Sequence, residues 1–352
     1  MKKFLKVLLK IVLALLIVVV LFFGFLTVVE YRPADTEDLT VTAGGKESLS
    51  LADSHSILTW NIGYAGLGKE CDFVMDGGGK APAPTKEMVS RYLDGITGTV
   101  ASVPAEIRFI QEVDHDSSRS HGIDEITPLS MDSTAFALNY DVLFVPYPFD
   151  YVGTVHSGIL TTSEYALNNA QRIALPCPFS WPLRTANLKR CMLVSRMNVE
   201  GTDKQLVLVN FHLEAYDDGE GKIRQTEMLT QLLLDEYAKG NYVIAGGDWN
   251  QTMPDTEANN YPNTHRDLWN VGLLTWDSAP EGWQFAFDPS SPTCRLLNQA
   301  YDPADTVGTQ YYVIDGFIVS PNIRVDSVST LDQDFVNSDH NPVLMNFSFI
   351  ED

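Results

Sequence analysis

The sequence predicts an α+β domain, in which two β-sheets pack together with helices outside, preceded by one transmembrane helix. Three observations lead to this prediction. Short apolar runs bounded by turn residues recur along most of the 352 residues. Only two long segments among them have the 3.6-residue spacing of amphipathic helices. The chain also begins with a lysine-rich segment and a long uncharged run. With 45% hydrophobic residues, it can bury a sizeable core.

The N-terminal segment is predicted to be a signal anchor. Ile11–Val29 contains 19 residues without a charge, and four lysines precede it at positions 2, 3, 6 and 10. As a helix this run spans about 28 Å, close to one hydrocarbon core. A cleaved secretion signal is the alternative, but we find no small-x-small site after the run. Lysines on the N-terminal side predict a single pass through the cell membrane, with a cytoplasmic N-terminus and an extracytoplasmic domain.

The charge of the chain limits its partners. Residues 1–30 hold four lysines and one glutamate, so the remaining residues carry 20 basic and 45 acidic side chains, a formal net charge of −25. Such a surface repels polyanions and disfavours extended duplex DNA as a partner. A small phosphoester that reaches a metal-filled cleft is compatible with it. Nothing in the sequence indicates an obligate protein partner.

The four cysteines do not form a disulfide scaffold. They are scattered, and none belongs to a C-x-x-C pair. One bridge, such as Cys177–Cys191, and buried free thiols are both compatible with the sequence.

The chain divides into three predicted parts: the anchor at 1–30, a polar tether at 31–53 and a catalytic domain at 54–352. The tether prediction comes from its acidic residues, a proline and a Gly-Gly pair. Within the domain, apolar runs predict strands at Ser56–Asn61, Ile107–Gln111, Tyr140–Pro146, Gly158–Thr162, Met192–Val199, Gln205–His212, Val243–Asp248, Tyr311–Val319, Ile323–Thr330 and Val343–Ser348.

Helices are predicted at Thr85–Val100, with Thr85 as the N-cap, and at Ile223–Lys239, which ends at Gly240. A further short helix is predicted near Arg266–Val271. The core-facing residues expected on the second helix are Ile223, Met228, Leu232 and either Leu233 or Leu234.

Polar residues stand where several predicted strands end. Asp248 and Asn250 follow the apolar run from Val243, and residues two apart on an extended chain point the same way. A carboxylate and an amide there can grip a divalent cation and a phosphate oxygen. A strand followed by a polar turn is the alternative.

The same pattern recurs on other strands, with Glu112 after one buried run and Asn210 with His212 after another. Asp315 lies among apolar neighbours, where a carboxylate needs a partner. Asp339-His340 joins an acid to an imidazole before a strand. Ordinary structural roles are the alternatives: an edge carboxylate, a satisfied histidine, a backbone hydrogen bond and a polar turn.

Taken in order, these short motifs resemble the endonuclease/exonuclease/phosphatase superfamily, which has the deoxyribonuclease I-like fold. The superfamily also includes apurinic endonucleases, inositol polyphosphate 5-phosphatases and neutral sphingomyelinases. The resemblance extends from about residue 54 to 349, and with the anchor it suggests a membrane-anchored, bacterial-type member. It rests on Asn61 in T-W-N, Glu112 in Q-E, His212 in N-F-H-L, Asp248 and Asn250 in G-D-W-N, Asp315 in I-D-G-F and Asp339-His340 in S-D-H-N-P.

The resemblance implies a four-layer α/β sandwich, two mixed sheets flanked by helices, that hydrolyses phosphoester bonds with Mg²⁺ or Mn²⁺. By the same resemblance the metal ligands are Glu112, Asn61 and Asp339. His340 is the general base, oriented by Asp315. Asp248 positions or deprotonates the attacking water, while Asn250 and His212 bind phosphate oxygens. Which acid activates the water is left open.

The chain departs from the family pattern after Leu160. Many relatives continue with Ser-Arg or Ser-Lys, whereas this chain has Thr161-Thr162-Ser163-Glu164. Candidate substrate-binding arginines therefore come from two other stretches: Arg119 from one, and Arg184 and Arg190 from the other. Local salt bridges to the many acids are the alternative for these three side chains.

We therefore expect a membrane-anchored hydrolase that acts on phosphoric esters, most of all phosphodiesters, with a lipid or a small molecule as substrate. Two alternatives stay open. One is a nuclease that acts on short or single-stranded extracellular nucleic acid. The other is a catalytically inactive binding module on the cell surface.

Overall fold

Two mixed β-sheets stack face to face in the computed structural model, which describes residues 1–145, 153–217, 219–305 and 307–350. In spatial order the first sheet contains β1 (Thr36–Asp38), β8 (Asn168–Ala174), β9 (Cys191–Val199), β10 (Gln205–His212), β11 (Tyr242–Asp248), β17 (Asp315–Val319) and β14 (Gln284–Ala286), with β3 (Ser48–Leu49) also on β9. The second contains β18 (Ile323–Thr330), β19 (Val343–Phe349), β4 (Ser54–Asn61), β5 (Ile107–Asp114), β7 (Gly153–Ser163), β6 (Ser133–Val145) and β2 (Val41–Thr42).

Two of the described α-helices cover the outer faces of the sheets. They are α2 (Lys86–Ser102) and α4 (Glu220–Ala238); the other described α-helices are α1 (Lys2–Val28), α3 (Ile126–Leu129) and α5 (Thr256–Asn259). Two further strand pairs join β12 (Gln251–Thr252) to β13 (Gly272–Leu273) and β15 (Cys294–Arg295) to β16 (Tyr311–Tyr312). One apolar cluster fills the space between the sheets, a second packs α4 on the first sheet, and a third packs α2 on the second sheet. This confirms the predicted four-layer sandwich.

The inward-facing rows of side chains explain why the core ends where it does. On β4, Ile57 faces the core between the sheets, whereas Leu58 and Trp60 face α2. Because alternate residues of a strand share a face, Asn61 continues the inward row of Ile57. The rows of β10, β11 and β17 likewise run from apolar residues to polar ones at one end of the sandwich, which we call the site end.

The helix α1 is the described helix that is long and apolar enough to cross a membrane, with a mean hydropathy of 3.2 over its most apolar window. It begins earlier than the uncharged run, at Lys2. In α2, the predicted cap is confirmed, since Thr85 Oγ1 accepts a hydrogen bond from the Met88 amide at 3.3 Å.

The prediction for residues 31–53 as a tether is corrected by the structure. Three short strands of this segment pair with β8, β6 and β9, so it adds edge strands to both sheets. Edge strands are solvated on one side, so they can be polar, and a polar composition alone does not distinguish them from a linker. The boundaries at 30 and 53 stay predictions.

Other differences concern local details. Residues 266–268 form a turn and 269–271 are irregular, so the short helix predicted near Arg266–Val271 is absent. On α4, Leu229 and Leu233 are buried, while Ile223 and Met228 are exposed, so the face was predicted about one position out of phase. The strand predicted over Tyr311–Val319 is divided in two. The strand β8 was not predicted, and Pro146 lies outside the described residues.

Candidate active site

Five polar side chains meet at the site end because the strands that carry them end together. The parallel strands β10 and β11 are in register, with His212 opposite Asp248, and Asp248 lies opposite Asp315 of β17. In the other sheet, Asn61 ends β4, and its amide Nδ2 lies 3.1 Å from Glu112 Oε1 and 3.0 Å from Asp248 Oδ2. The two sheets therefore contribute jointly to one polar cluster.

Asp339 and His340 enter this cluster from the loop before β19. The Ser338 hydroxyl donates to the Asn61 carbonyl at 2.9 Å, and the indole of Trp60 donates to the His340 carbonyl at 2.9 Å. Both contacts fix the loop to the end of β4. They place the acid and the imidazole opposite the strand ends of the first sheet.

The imidazole of His340 is held on one side and open on the other. Its Nδ1 lies 2.8 Å from Asp315 Oδ2, whereas Nε2 lies 3.8 Å from Asp248 Oδ2 and 3.9 Å from Asp339 Oδ2, beyond hydrogen-bond distance. Burial opposes a charge on the ring, but the carboxylate of Asp315 outweighs it and raises the pKa of His340 well above its ordinary value. The pair fixes the tautomer and directs Nε2 into the site.

Glu112 is directed into the site by an irregularity of β5. Its φ is +54°, and the register with β7 shifts between Ile110 and Val113. A bulge of this kind turns a side chain away from the normal alternation, at a backbone cost on the order of 1–3 kcal/mol. With 24% of its side chain exposed, Glu112 is the more accessible of the site's acids.

The two deeper acids are destabilised in their charged form. Burial, followed by repulsion from Asp315, raises the pKa of Asp248 to about 6. Burial raises the pKa of Asp339 to about 7, and the neighbouring Glu112 adds to the increase. Among the described residues, Glu112, Asp248 and Asp339 form ion pairs with histidines, and no lysine or arginine lies within ion-pair distance of their carboxylates.

Buried carboxylates that face one another without a lysine or arginine fit a divalent cation, because its charge removes their mutual repulsion. Two described groups bring their ligand atoms within 4.8 Å of one another: Cys294, Asp339 and His340, and Asp248, Asp315 and His340. Neither group contains Glu112, and the Asn61 nitrogen rather than its oxygen faces the acids. The ligand set Glu112, Asn61 and Asp339 therefore stays a prediction.

The two side chains predicted to hold phosphate oxygens are differently available. His212 Nε2 lies 3.4 Å from Asp248 Oδ2, and its buried Nδ1 has no hydrogen-bond partner. Burial lowers the pKa of His212 well below its ordinary value. Asn250 lies beyond the end of β11, where its φ is +50°; its Nδ2 donates to the Leu213 carbonyl at 2.8 Å, leaving one amide hydrogen for a ligand.

The three predicted substrate-binding arginines are engaged within the protein. Arg119 binds both carboxylate oxygens of Asp114, at 2.9 and 2.8 Å, and stacks 3.6 Å over the ring of Tyr64. Arg190 Nε lies 3.2 Å from Glu214 Oε2, and its Nη1 donates to the His212 carbonyl. Arg184 forms an ion pair with Glu30. These contacts are the salt bridges that the sequence left open as the alternative.

Of the residues that support the site, Asn210 was noted beside His212 in the sequence, whereas Gln111, Arg295 and Gly63 were not identified as supporting residues. Gln111 Nε2 donates to Asn210 Oδ1 at 2.8 Å and bridges the two sheets beneath the site. Buried Arg295 holds the loop carbonyls of Gly68 and Cys71, and its backbone amide donates to the Asp339 carbonyl. At Gly63 a Cβ would lie 2.9 Å from Asp339 Oδ1, so a side chain there would collide with the acid. The signal available for Gln111 and Asn210 was their inward-facing position at a strand end.

The four cysteines are free, and three of them are buried; Cys177 is the exposed one. The Cys177–Cys191 bridge is thus not formed, and the alternative of free thiols is confirmed.

Comparison with solved structures identifies the architecture. No sequence model of a family matches the chain, and no curated protein matches it in sequence. An endonuclease/exonuclease/phosphatase protein from Beutenbergia cavernae is 18% identical with a TM-score of 0.55, over 84% of this chain and 72% of that one. One from Bacteroides vulgatus is 15% identical with a TM-score of 0.53, over 84% and 99%. TDP2 from Caenorhabditis elegans is 15% identical with a TM-score of 0.51, over 84% and 74%. The chain therefore has the fold of endonuclease/exonuclease/phosphatase proteins.

Proposed function

We propose that the protein is a divalent-metal-dependent phosphodiesterase, anchored by α1 in the cell membrane with its domain outside the cytoplasm. The main observation behind this proposal is that seven polar side chains meet at the site end of the sandwich: Asn61, Glu112, His212, Asp248, Asp315, Asp339 and His340. The same motifs, in this order, carry the resemblance to phosphoester hydrolases. A structural core needs none of these buried charges, whereas carboxylates, amides and imidazoles are the groups that can bind a divalent cation and transfer protons in hydrolysis of a phosphodiester.

Glu112, Asp339 and Asn61 are the residues that would hold Mg²⁺ or Mn²⁺. The bound ion would supply Lewis-acid polarisation of the phosphoryl group and charge neutralisation. The remaining side chains position the reactants. In the neutral tautomer that carries its proton on Nδ1, His212 would donate to a non-bridging oxygen, and Asn250 offers its second amide hydrogen.

Proton transfer falls to Asp248 and to His340. In the hydrolysis, the water oxygen forms a bond to phosphorus and the ester P–O bond breaks. One water proton passes to the base, and the leaving oxygen takes up a proton. Asp248, at the strand end, and His340 Nε2, 3.8 Å from Asp248 Oδ2, border the same part of the site, where both could exchange protons with the reactants. Asp315 keeps Nε2 directed at that space.

The test is hydrolysis of bis-p-nitrophenyl phosphate and p-nitrophenyl phosphate by the full chain in detergent, with Mg²⁺, Mn²⁺ or EDTA. We expect cleavage of the diester that depends on the metal and is lost in Glu112→Gln, a variant of nearly unchanged size. Preference for the monoester would instead indicate a phosphatase. If neither ester is cleaved and calorimetry finds no metal binding, the proposal is wrong.

A further inference from the structure

The end of α1 is seated on the domain through aromatic contacts. The ring of Phe22 lies 6.3 Å from that of Phe144, and Phe23 lies 5.7 Å from Trp181. The Trp181 indole also donates to Thr27 Oγ1 at 3.0 Å. Leu26 is buried, although nearly all of the preceding helix is exposed. The direction of the helix is therefore defined relative to the domain.

A buried carboxylate fixes the chain directly after the helix. Glu30 is the first charged residue after the uncharged run, and its side chain is only 2% exposed. It forms ion pairs with Arg32 at 3.0 Å, Arg184 at 3.1 Å and Lys189 at 3.5 Å. An exposed ion pair adds little stability, but a buried carboxylate with three cationic partners orders the segments that carry them.

These contacts lie at the site end of the sandwich. Trp181 and Arg184 belong to the connection between β8 and β9. The last residue of β8, Ala174, pairs with the first residue of β9, Cys191, at this end of the sheet. Arg190, the residue before Cys191, donates a hydrogen bond to the carbonyl of His212 in the site.

Phe144 lies at the end of β6, beyond Tyr140, which is opposite Ser157 of β7. Ser157 is in turn opposite Asp114, two residues after Glu112. The Tyr140 hydroxyl donates to the Ala186 carbonyl at 3.0 Å and joins the two segments. The two segments that α1 contacts, the end of β6 and the connection between β8 and β9, therefore lie at the same end of the sandwich as the site.

This border carries large apolar side chains exposed to solvent. Leu143, Trp181 and Leu183 are 50%, 54% and 66% exposed. Together with Phe144 we call them the rim. A helix needs about 20 residues to span the hydrocarbon core, so a span that begins at Phe4 ends at Phe23, with Lys6 and Lys10 reaching back to the surface. If the membrane-spanning part of α1 begins later in the sequence, Phe22 and Phe23 lie deeper in the hydrocarbon core. In each case the residues that touch them lie at the bilayer.

We propose that the rim is a membrane-contact surface, which holds the mouth of the site against the bilayer that α1 crosses. Aromatic and leucine side chains favour the interface between headgroups and acyl chains. The substrate that this placement favours is a phosphodiester in a lipid headgroup, and this part rests on the proposed function. Water would attack the headgroup phosphorus, one ester P–O bond would break, and the leaving alcohol would take up a proton.

Orientation can be measured without any activity. Nitroxide labels are placed at Leu183→Cys in the rim or at Asp203→Cys, each with Cys177→Ser, in full chain embedded in phosphatidylcholine nanodiscs. Asp203 lies in the turn between β9 and β10 at the other end, about 26 Å along the strand. We expect the Leu183 label to collide preferentially with oxygen, as at a lipid interface, and the Asp203 label with a water-soluble nickel chelate. Preference for the chelate at both positions would overturn the proposal, as would shielding of the Leu183 label by a second copy in a dimer.

The substrate class is tested with Trp181→Ala and with Trp276→Ala as the matched control. Trp276 is 55% exposed, lies outside the rim and also donates its indole hydrogen to a neighbour, Asp255. For Trp181→Ala we expect phosphatidylcholine cleavage in the bilayer to fall on the order of tenfold, while the soluble diester is cleaved within about twofold of wild type. Trp276→Ala should change neither rate.

The outcomes separate the two proposals. If wild type cleaves neither soluble ester nor bilayer lipid and binds no metal, the proposed function fails, while the collision measurement still decides the orientation. If it cleaves the soluble diester but no bilayer lipid, the lipid substrate is refuted. An equal loss on both substrates in Trp181→Ala would show that the rim acts on the site itself, contrary to the proposal.

Discussion

Two buried histidine–carboxylate pairs occupy opposite ends of the same sandwich. His55 near the start of β4 lies with its Nδ1 3.1 Å from Glu106 Oε2, and His340 beside the end of β4 lies with its Nδ1 2.8 Å from Asp315 Oδ2. In both pairs the attraction of the carboxylate outweighs the opposing effect of burial and raises the histidine pKa. The pairs differ in what the second ring nitrogen meets.

The second nitrogen of His55 is satisfied, since Nε2 lies 2.9 Å from the Ser50 carbonyl. Three aromatic rings, those of Tyr165, Phe347 and Phe349, surround this imidazole at 5.7 to 5.9 Å. The second nitrogen of His340 faces two acids beyond hydrogen-bond distance. A histidine–carboxylate pair is thus a structural element when both nitrogens are bound, and a candidate for proton transfer when one is left open.

We call His340 with Asp315 the open pair and His55 with Glu106 the closed pair. The largest expected effect is the loss of hydrolytic activity when the open pair is changed. In His340→Ala, hydrolysis of the diester should fall about 10²- to 10⁴-fold, because a proton-transferring side chain contributes on that order. A cooperative thermal transition should show that the fold survives the substitution. Wild-type activity in this variant would refute the role of His340.

The second prediction compares variants in which the carboxylate of each pair is made neutral. Asp315→Asn should lower kcat about 10- to 10²-fold, because His340 loses the carboxylate that orients and charges it. Glu106→Gln, the matched change at the closed pair, should leave kcat within about twofold and lower the thermal midpoint. Equal effects of the two variants on kcat would contradict the assignment.

At the closed pair, loss of the ring should affect stability. His55→Ala removes a ring packed among three aromatic residues and leaves the Ser50 carbonyl without its donor, so we expect a loss of about 2–4 kcal/mol. Chemical denaturation of the full chain in detergent measures it. His115→Ala, at an imidazole with 57% of its side chain exposed, is the control and should change stability by less than about 0.5 kcal/mol.

The smallest expected effect is a pH dependence of the closed pair. The folded-state pKa of His55 is raised above its ordinary 6.5, so its contribution is complete below pH 6.5 and is lost as the pH rises through the folded-state value. The pKa of Glu106 is lowered from 4.5, so its contribution is present above 4.5 and is lost as the pH falls through its folded-state value.

The difference in thermal midpoint between wild type and His55→Gln should therefore shrink as the pH rises above about 6.5. A difference that is constant over this range would show that packing alone, not the ion pair, stabilises this end.

Much of the arrangement follows from local pattern. Alternation with a period of two places Asn61, His212 and Asp248 at the ends of inward-facing rows, and the two long helices of the domain were correctly placed. The pattern was less informative where side chains are half-exposed. The polar strand β1 resembles a linker, and the leucine-rich face of α4 allows more than one phase.

By itself, the sequence determined the apolar helix, the strands and the polar residues at their ends, because each depends on neighbours a few positions away. It did not indicate that His55 would pair with Glu106, or that Glu30 would meet Arg184. Those relationships join residues 51 and 154 positions apart, respectively. Only the tertiary structure decided them, because strand order and register bring together side chains that no local spacing relates.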